Sequence, residues 1–184
     1  THVFLANGLP TLQMRVLEQV KKPQLVLADT MDLWIETQRN DLLALLPRID
    51  GLLLNDSEAR LLTGEDNLVR AGRAVRKLGP KFVILKKGEH GAILFGDDSL
   101  LVMPAYPTAD VIDPTGAGDS FAGGILGALK EDDAPTAANL RRAMAYGTVL
   151  ASFVVEDFSL DRLQRTTRQE IDQRLQTYRR MMEF

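Results

Sequence analysis

The chain contains no cysteine and only two histidines in 184 residues. Disulfides and thiolate metal sites are therefore excluded, and His2 and His90 stand too far apart to suggest a zinc site. Neither sign of charge dominates: 22 Lys and Arg face 25 Asp and Glu, for a formal net charge of −3, and no block of like charges occurs. That balance argues against a nucleic-acid surface and against a polybasic membrane tail. No apolar run approaches the roughly 18–20 residues needed to span a bilayer. No secretory charged-then-apolar leader with a cleavage site is recognisable. The expectation is a cytoplasmic protein with neither nucleic acid nor membrane as a partner.

What is present is enough to build one core over residues 1–184, since 45% of the residues are hydrophobic. Short apolar runs at Val3–Ala6, Leu25–Ala28, Gly51–Leu54 and Phe82–Lys86 read as buried strands. Helical stretches lie between them: Thr11–Val20, with Leu12, Val16 and Val20 on one face; Asp41–Leu46; Ser57–Leu62; and Leu68–Leu78. This alternation predicts an α/β fold, a doubly wound, mostly parallel sheet with helices on both sides. Ala92–Phe95 and Leu100–Met103, joined by the polar Gly96-Asp97-Asp98-Ser99, read as a hairpin. Three helices follow, about Ala117–Lys130, about Pro135–Val154 and a long one from Asp161 to Met182. The chain opens inside what reads as a strand, without an initiator Met, so a preceding N-terminal part is expected.

The strongest signal is Asp113-Pro114-Thr115-Gly116-Ala117-Gly118-Asp119-Ser120-Phe121-Ala122-Gly123-Gly124. Gly116 and Gly118 allow a tight turn and close approach of a ligand. The helix that starts there offers unpaired N–H groups and its positive dipole end, a ready anion site. Asp119 in the first turn would sit beside such an anion. There a carboxylate is electrostatically awkward unless it takes a proton from a hydroxyl attacking a phosphate. A simple Gly turn with Asp as a first-turn helix stabiliser is the plainer reading of the same residues. A dinucleotide-binding turn is disfavoured, because that motif belongs in the first strand–helix unit, followed by an acidic residue about 20 positions on.

Two further groups follow strand ends. Asn55-Asp56-Ser57-Glu58 reads locally as ordinary helix capping. Lys86-Lys87-Gly88-Glu89-His90-Gly91 reads as a strand-to-hairpin turn whose glycines admit a ligand and whose lysines can neutralise phosphate.

The twelve-residue string resembles the C-terminal signature of the ribokinase (PfkB) family of sugar kinases, and the likeness extends over nearly all 184 residues. It implies a ribokinase-like fold from which the N-terminal strands and the β lid are missing, and an ATP- and Mg2+-dependent kinase acting on a primary hydroxyl of a sugar or nucleoside-like acceptor. Gly116, Ala117 and Gly118 would form the anion hole, and Asp119 would be the general base. Thr115 joins the nucleotide side. Asn55 and Glu58 match the family's Asn-x-x-Glu motif, which organises magnesium, here through water. Gly88 and Gly91 match the nucleotide loop, with Lys86 reaching the triphosphate. Asp113 is similar in position to a residue that helps hold a monovalent cation, K+ in this reading. The helix Arg141–Val154 would flank the adenine, with Tyr146 where relatives often carry Asn. The segment Asp29-Thr30-Met31-Asp32-Leu33-Trp34 departs from the Asp-Pro-Asn-x-Arg of many family members, which weakens a hexose assignment; a lone Trp34 is expected to pack on the core. A homodimer is one expected assembly, and this chain by itself is expected to phosphorylate no sugar at a useful rate. The reading from another class is a non-catalytic nucleotide- or sugar-binding module lacking the lid, and a dehydrogenase domain is a weaker third.

Overall fold

A computed structural model describes residues 1–97, 99–130 and 133–183. They divide into two compact units, Thr1–Gly88 with Ala92–Val102, and Glu89–Gly91 with the residues from Met103 onward.

The first unit is built on a sheet whose strands follow one another in space as in sequence: β1 (His2–Leu5), β2 (Leu25–Asp29), β3 (Gly51–Asn55), β4 (Phe82–Lys86), β5 (Ala92–Phe95) and β6 (Leu100–Met103). The first four run parallel, and β5 turns back antiparallel to β4. The connections carry α1 (Pro10–Gln19), α2 (Asp32–Thr37), α3 (Arg39–Leu45), α4 (Asp56–Thr63) and α5 (Leu68–Lys77). Successive right-handed crossovers between neighbouring strands return to the same side of a sheet. Accordingly, Val26, Ala28, Leu52, Leu54, Val83 and Leu85 share one core with Ile35, Leu42, Leu45, Ala59, Leu62, Ala71 and Val75 from the helices. The intervening strand residues Leu27, Leu53, Ile84 and Leu94 are fully buried too. Strands hidden on both faces explain the continuous apolar runs in the sequence.

The second unit is helical: α6 (Ala117–Ala128), α7 (Ala137–Val154), α8 (Asp161–Arg165) and α9 (Arg168–Met181). Helices α6 and α7 touch where side chains are absent. A Cβ on Gly124 would lie 2.7 Å from the Gly147 Cα, and one on Gly147 would lie 2.5 Å from the Phe121 carbonyl oxygen. Arg174 of α9 stacks over the Phe153 ring at 3.5 Å and pairs with Glu156 at 2.8 Å.

The α/β class and the mostly parallel sheet agree with the sequence reading. Three local expectations do not. On α1 the inward residues are Pro10 and Gln13, with Met14 and Leu17 packed on the core, whereas Leu12 and Val16 are exposed. The long C-terminal helix is two helices, because Thr167 and Glu170 form a capping box that restarts the backbone after Arg165. Trp34 is only half-buried, and its indole N–H donates to the Asn7 Oδ1 at 2.8 Å. The hairpin turn is closed by a bond from the Gly96 N–H to the Ser99 carbonyl, and Asp98 within it lies outside the described residues.

Candidate active site

The first unit gathers polar groups at the carboxyl ends of its parallel strands, the edge where open α/β sheets take ligands. Strand β3 passes into α4 without a loop, and Asn55 is both its last residue and the N-cap of the helix. The Asn55 Oδ1 accepts the Glu58 N–H at 2.8 Å and the Ser57 hydroxyl at 2.7 Å. In return, the two Glu58 carboxylate oxygens accept the Asn55 N–H and its side-chain amide, each at 2.7 Å. Glu58 is 7% exposed. Burial pushes its carboxyl up to about 7, against the opposing pull of the Asn55 N–H and the Lys86 charge.

Lys86 ends β4 in register with Asn55. Its ammonium lies 3.0 Å from Oδ2 of Asp29, the last residue of β2. The other Asp29 oxygen, Oδ1, accepts the Thr30 N–H at 2.8 Å. Gln13 of α1 reaches this edge from beneath: its side-chain Nε2 donates to the carbonyls of Leu5, Ala6 and Asp29, at 3.0, 3.0 and 3.2 Å. The structure thus brings Asn55, Glu58 and Lys86 together and adds Asp29 and Gln13. One signal for Asp29 was available in the sequence, a carboxylate closing an otherwise apolar run. Gln13 gave none, sitting between Leu12 and Met14 in an unremarkable helix.

Gly88 and Gly91 bracket a short 3₁₀ turn, Gly88–His90, and both take positive φ, 54° and 83°. At Gly91 a side chain is also barred by space, since a Cβ would run into the Met103 carbonyl oxygen.

In the second unit the signature string forms a turn and a helix start. Asp113 Oδ1 accepts the Thr115 N–H at 2.9 Å, and that bond, more than any other, holds the Asp113 carboxyl below the ordinary carboxylate range. Gly116 is the N-cap of α6 in the left-handed region, φ 81°. The Ala117 N–H is bonded to the Pro114 carbonyl and the Ser120 N–H to that of Gly116. Among the described residues no acceptor is found for the N–H groups of Gly118 and Asp119, as a helix start leaves them. Asp119 is exposed in this first turn. These are the donors an anion would use, with a carboxylate beside them. Tyr146 is held differently: the Arg168 guanidinium lies 5.9 Å from its ring centre, and an Arg168 nitrogen is 3.5 Å from its hydroxyl.

Among the described residues no three His, Cys, Asp or Glu side chains could together cage a metal ion. Magnesium does not require such a cage, because it keeps several of its waters and takes one or two carboxylates. Glu58 and Asn55, oxygen donors already engaged with each other, fit an ion met through water.

Similarity to known proteins runs along the whole of this frame. The chain is 37% identical over 92 residues to a cytidine kinase of Thermococcus kodakarensis, covering 48% of this chain and 33% of that protein. It is 28% identical over 160 residues to a nucleoside kinase of Methanocaldococcus jannaschii, covering 84% and 48%. The solved structure of Arabidopsis thaliana ribokinase complexed with ribose and ATP superposes with a TM-score of 0.76 at 26% identity, covering 95% of this chain and 55% of that one. The chain therefore spans a third to about a half of the length of the curated relatives it matches here. Residues 4–166 match the pfkB family carbohydrate kinase pattern, and the chain belongs to that family.

Proposed function

We propose that this chain supplies the nucleotide side and the catalytic base of an ATP-dependent kinase that phosphorylates a primary hydroxyl of a sugar or nucleoside. The observation that carries this reading is Asp119 in the first turn of α6, next to the open N–H groups of Gly118 and Asp119. A first-turn carboxylate stabilises a helix start but weakens an anion site, and removing a proton from the attacking hydroxyl gives it a use beside a bound phosphate. The names of the relatives, a cytidine kinase and a nucleoside kinase, together with a ribokinase solved with ribose and ATP, support a ribosyl-type acceptor.

In this reading Asp119 accepts the acceptor's hydroxyl proton as the oxygen bonds to the γ-phosphorus of ATP, while the bond from that phosphorus to the bridging oxygen breaks and ADP leaves. The α6 N–H groups following Gly116 take up the negative charge that develops on its oxygens. Lys86 offsets charge on the nucleotide, and Gly88 and Gly91 let the backbone approach it. Asn55 and Glu58 orient magnesium through water, and magnesium, when bound, neutralises charge on the phosphates. The protein's part is positioning and electrostatics rather than covalent chemistry.

The test is Asp119→Asn in the complete protein, measuring acceptor-dependent ADP release and ATP affinity. Turnover should fall by about 10²–10⁴, while ATP affinity stays within a few-fold. A variant keeping more than about a third of wild-type turnover removes Asp119 as the base.

A further inference from the structure

We infer that Asp29 is a positioning residue, fixing the Lys86 ammonium at the carboxyl ends of β2–β4 so that it meets a nucleotide phosphate already in place. This rests on the reading of Lys86 as a phosphate-facing charge, and it gives Asp29 a role on the nucleotide side, apart from the Gly116–Asp119, Asn55–Glu58 and Gly88–Gly91 motifs.

Asp29 is held at its backbone and at both carboxylate oxygens. Its main-chain carbonyl accepts from the buried Gln13, its Oδ1 accepts the Thr30 N–H, and its Oδ2 receives Lys86. Gln13 ties the same point to the end of β1 through Leu5 and Ala6. Backbone and carboxylate of Asp29 are thus both pinned.

The pair is also polarised. The Asp29 side chain is 7% exposed and that of Lys86 21%, so the carboxylate is the inner member and the ammonium the outer. An ammonium carries three donors, and the bond to Asp29 uses one of them, leaving others to meet a ligand.

Stability alone gives such a pair little reason to exist. Taking two charges out of water costs about as much as their attraction returns, and a packed apolar pair often does as well. A lysine without a partner would instead lose its rotamer freedom at the moment of binding. Held in advance by Asp29, it has already lost that freedom during folding, and the ligand does not have to restrain it again.

The experiment uses the complete protein, with ATP and adenosine binding followed by calorimetry and folding by circular dichroism. Asp29→Asn keeps shape and removes the charge. ATP affinity is expected to fall about tenfold, the scale of one charge-assisted contact, while adenosine affinity stays within about twofold by the same measure. Asp29→Asn combined with Lys86→Met should bind ATP no worse than Lys86→Met alone, because Asp29 acts through Lys86. Unchanged ATP affinity in Asp29→Asn, or equal losses for ATP and adenosine, overturns the inference and leaves the kinase reading standing. Wild-type protein that binds no ATP overturns that reading and this inference together. A second measurement does not depend on the variant folding: nitrogen-detected NMR of the lysine ammonium groups in the wild type. A protected, slowly exchanging Lys86 ammonium supports the inference, and one exchanging like surface lysines overturns it.

Discussion

Glu58 and Asn55 grip one another at both main chain and side chain, each carboxylate oxygen of Glu58 receiving one Asn55 N–H at 2.7 Å. The local capping reading and the metal-organising reading of this motif therefore describe the same atoms. A carboxylate fixed so tightly is also one whose orientation toward an ion is set beforehand.

Replacing Glu58 by Gln separates those two roles in part. Gln offers one acceptor where Glu58 has two engaged, so one hydrogen bond to Asn55 is lost. We expect a stability loss of about 1 kcal/mol in denaturant unfolding. The magnesium concentration needed for half-maximal rate should rise as well. An unchanged magnesium dependence would reduce Glu58 to a helix-start residue.

Two glycines of the proposed nucleotide side should respond differently to alanine. Gly116 needs only its left-handed φ, since a Cβ there would meet nothing nearer than Val154 Cγ1 at 4.0 Å. Gly116→Ala should cost about 1–2 kcal/mol of stability, the strain of that backbone region. Gly91→Ala meets the same strain and, in addition, the Met103 carbonyl oxygen and the Pro104 carbonyl carbon, the latter at 2.6 Å. It should be clearly the more destabilising of the two, as read by urea midpoints measured side by side.

The restart of the C-terminal helix gives a pH prediction. Hydrogen bonds from the Thr167 N–H, then from Arg162 and the Thr167 hydroxyl, lower the Glu170 carboxyl from 4.5 to about 2. A carboxylate that binds its proton less readily when folded stabilises the fold above the unfolded value, and that contribution is lost as pH falls through the folded one. The stability difference between wild type and Glu170→Gln should therefore be constant from neutral pH to about 5, then shrink toward pH 2. A difference that does not change across this acid limb would show that the ion pair and cap contribute nothing through charge.

Much of this was legible in the chain because the signals were local. Buried parallel strands announce themselves as unbroken apolar runs, and the Gly116–Asp119 turn and the Asn55–Glu58 box are contiguous strings whose geometry follows from neighbouring residues. What escaped was long-range. Asp29 and Lys86 are 57 positions apart, and only the parallel order of β2, β3 and β4 brings them to one edge, with Asp29 aligned with Leu53 and Ile84 and Lys86 two residues farther on. Gln13 was hidden because an apolar count on α1 favours Leu12 and Val16, whereas the helix turns Gln13, Met14 and Leu17 inward. The break between α8 and α9 was missed because helical periodicity continues across it; the Thr167 cap, not a glycine or proline, ends the run.

The contact of α6 with α7 bears on motion and on sequence drift. Gly124 and Gly147 meet with no side chain between them, so neither helix can slide or roll against the other without a backbone collision. Any displacement of α6 is expected to carry the Gly116–Asp119 turn and, on α7, Tyr146 together. A methyl group at either position requires the other helix to retreat first, and retreat would tilt the first turn that presents Asp119.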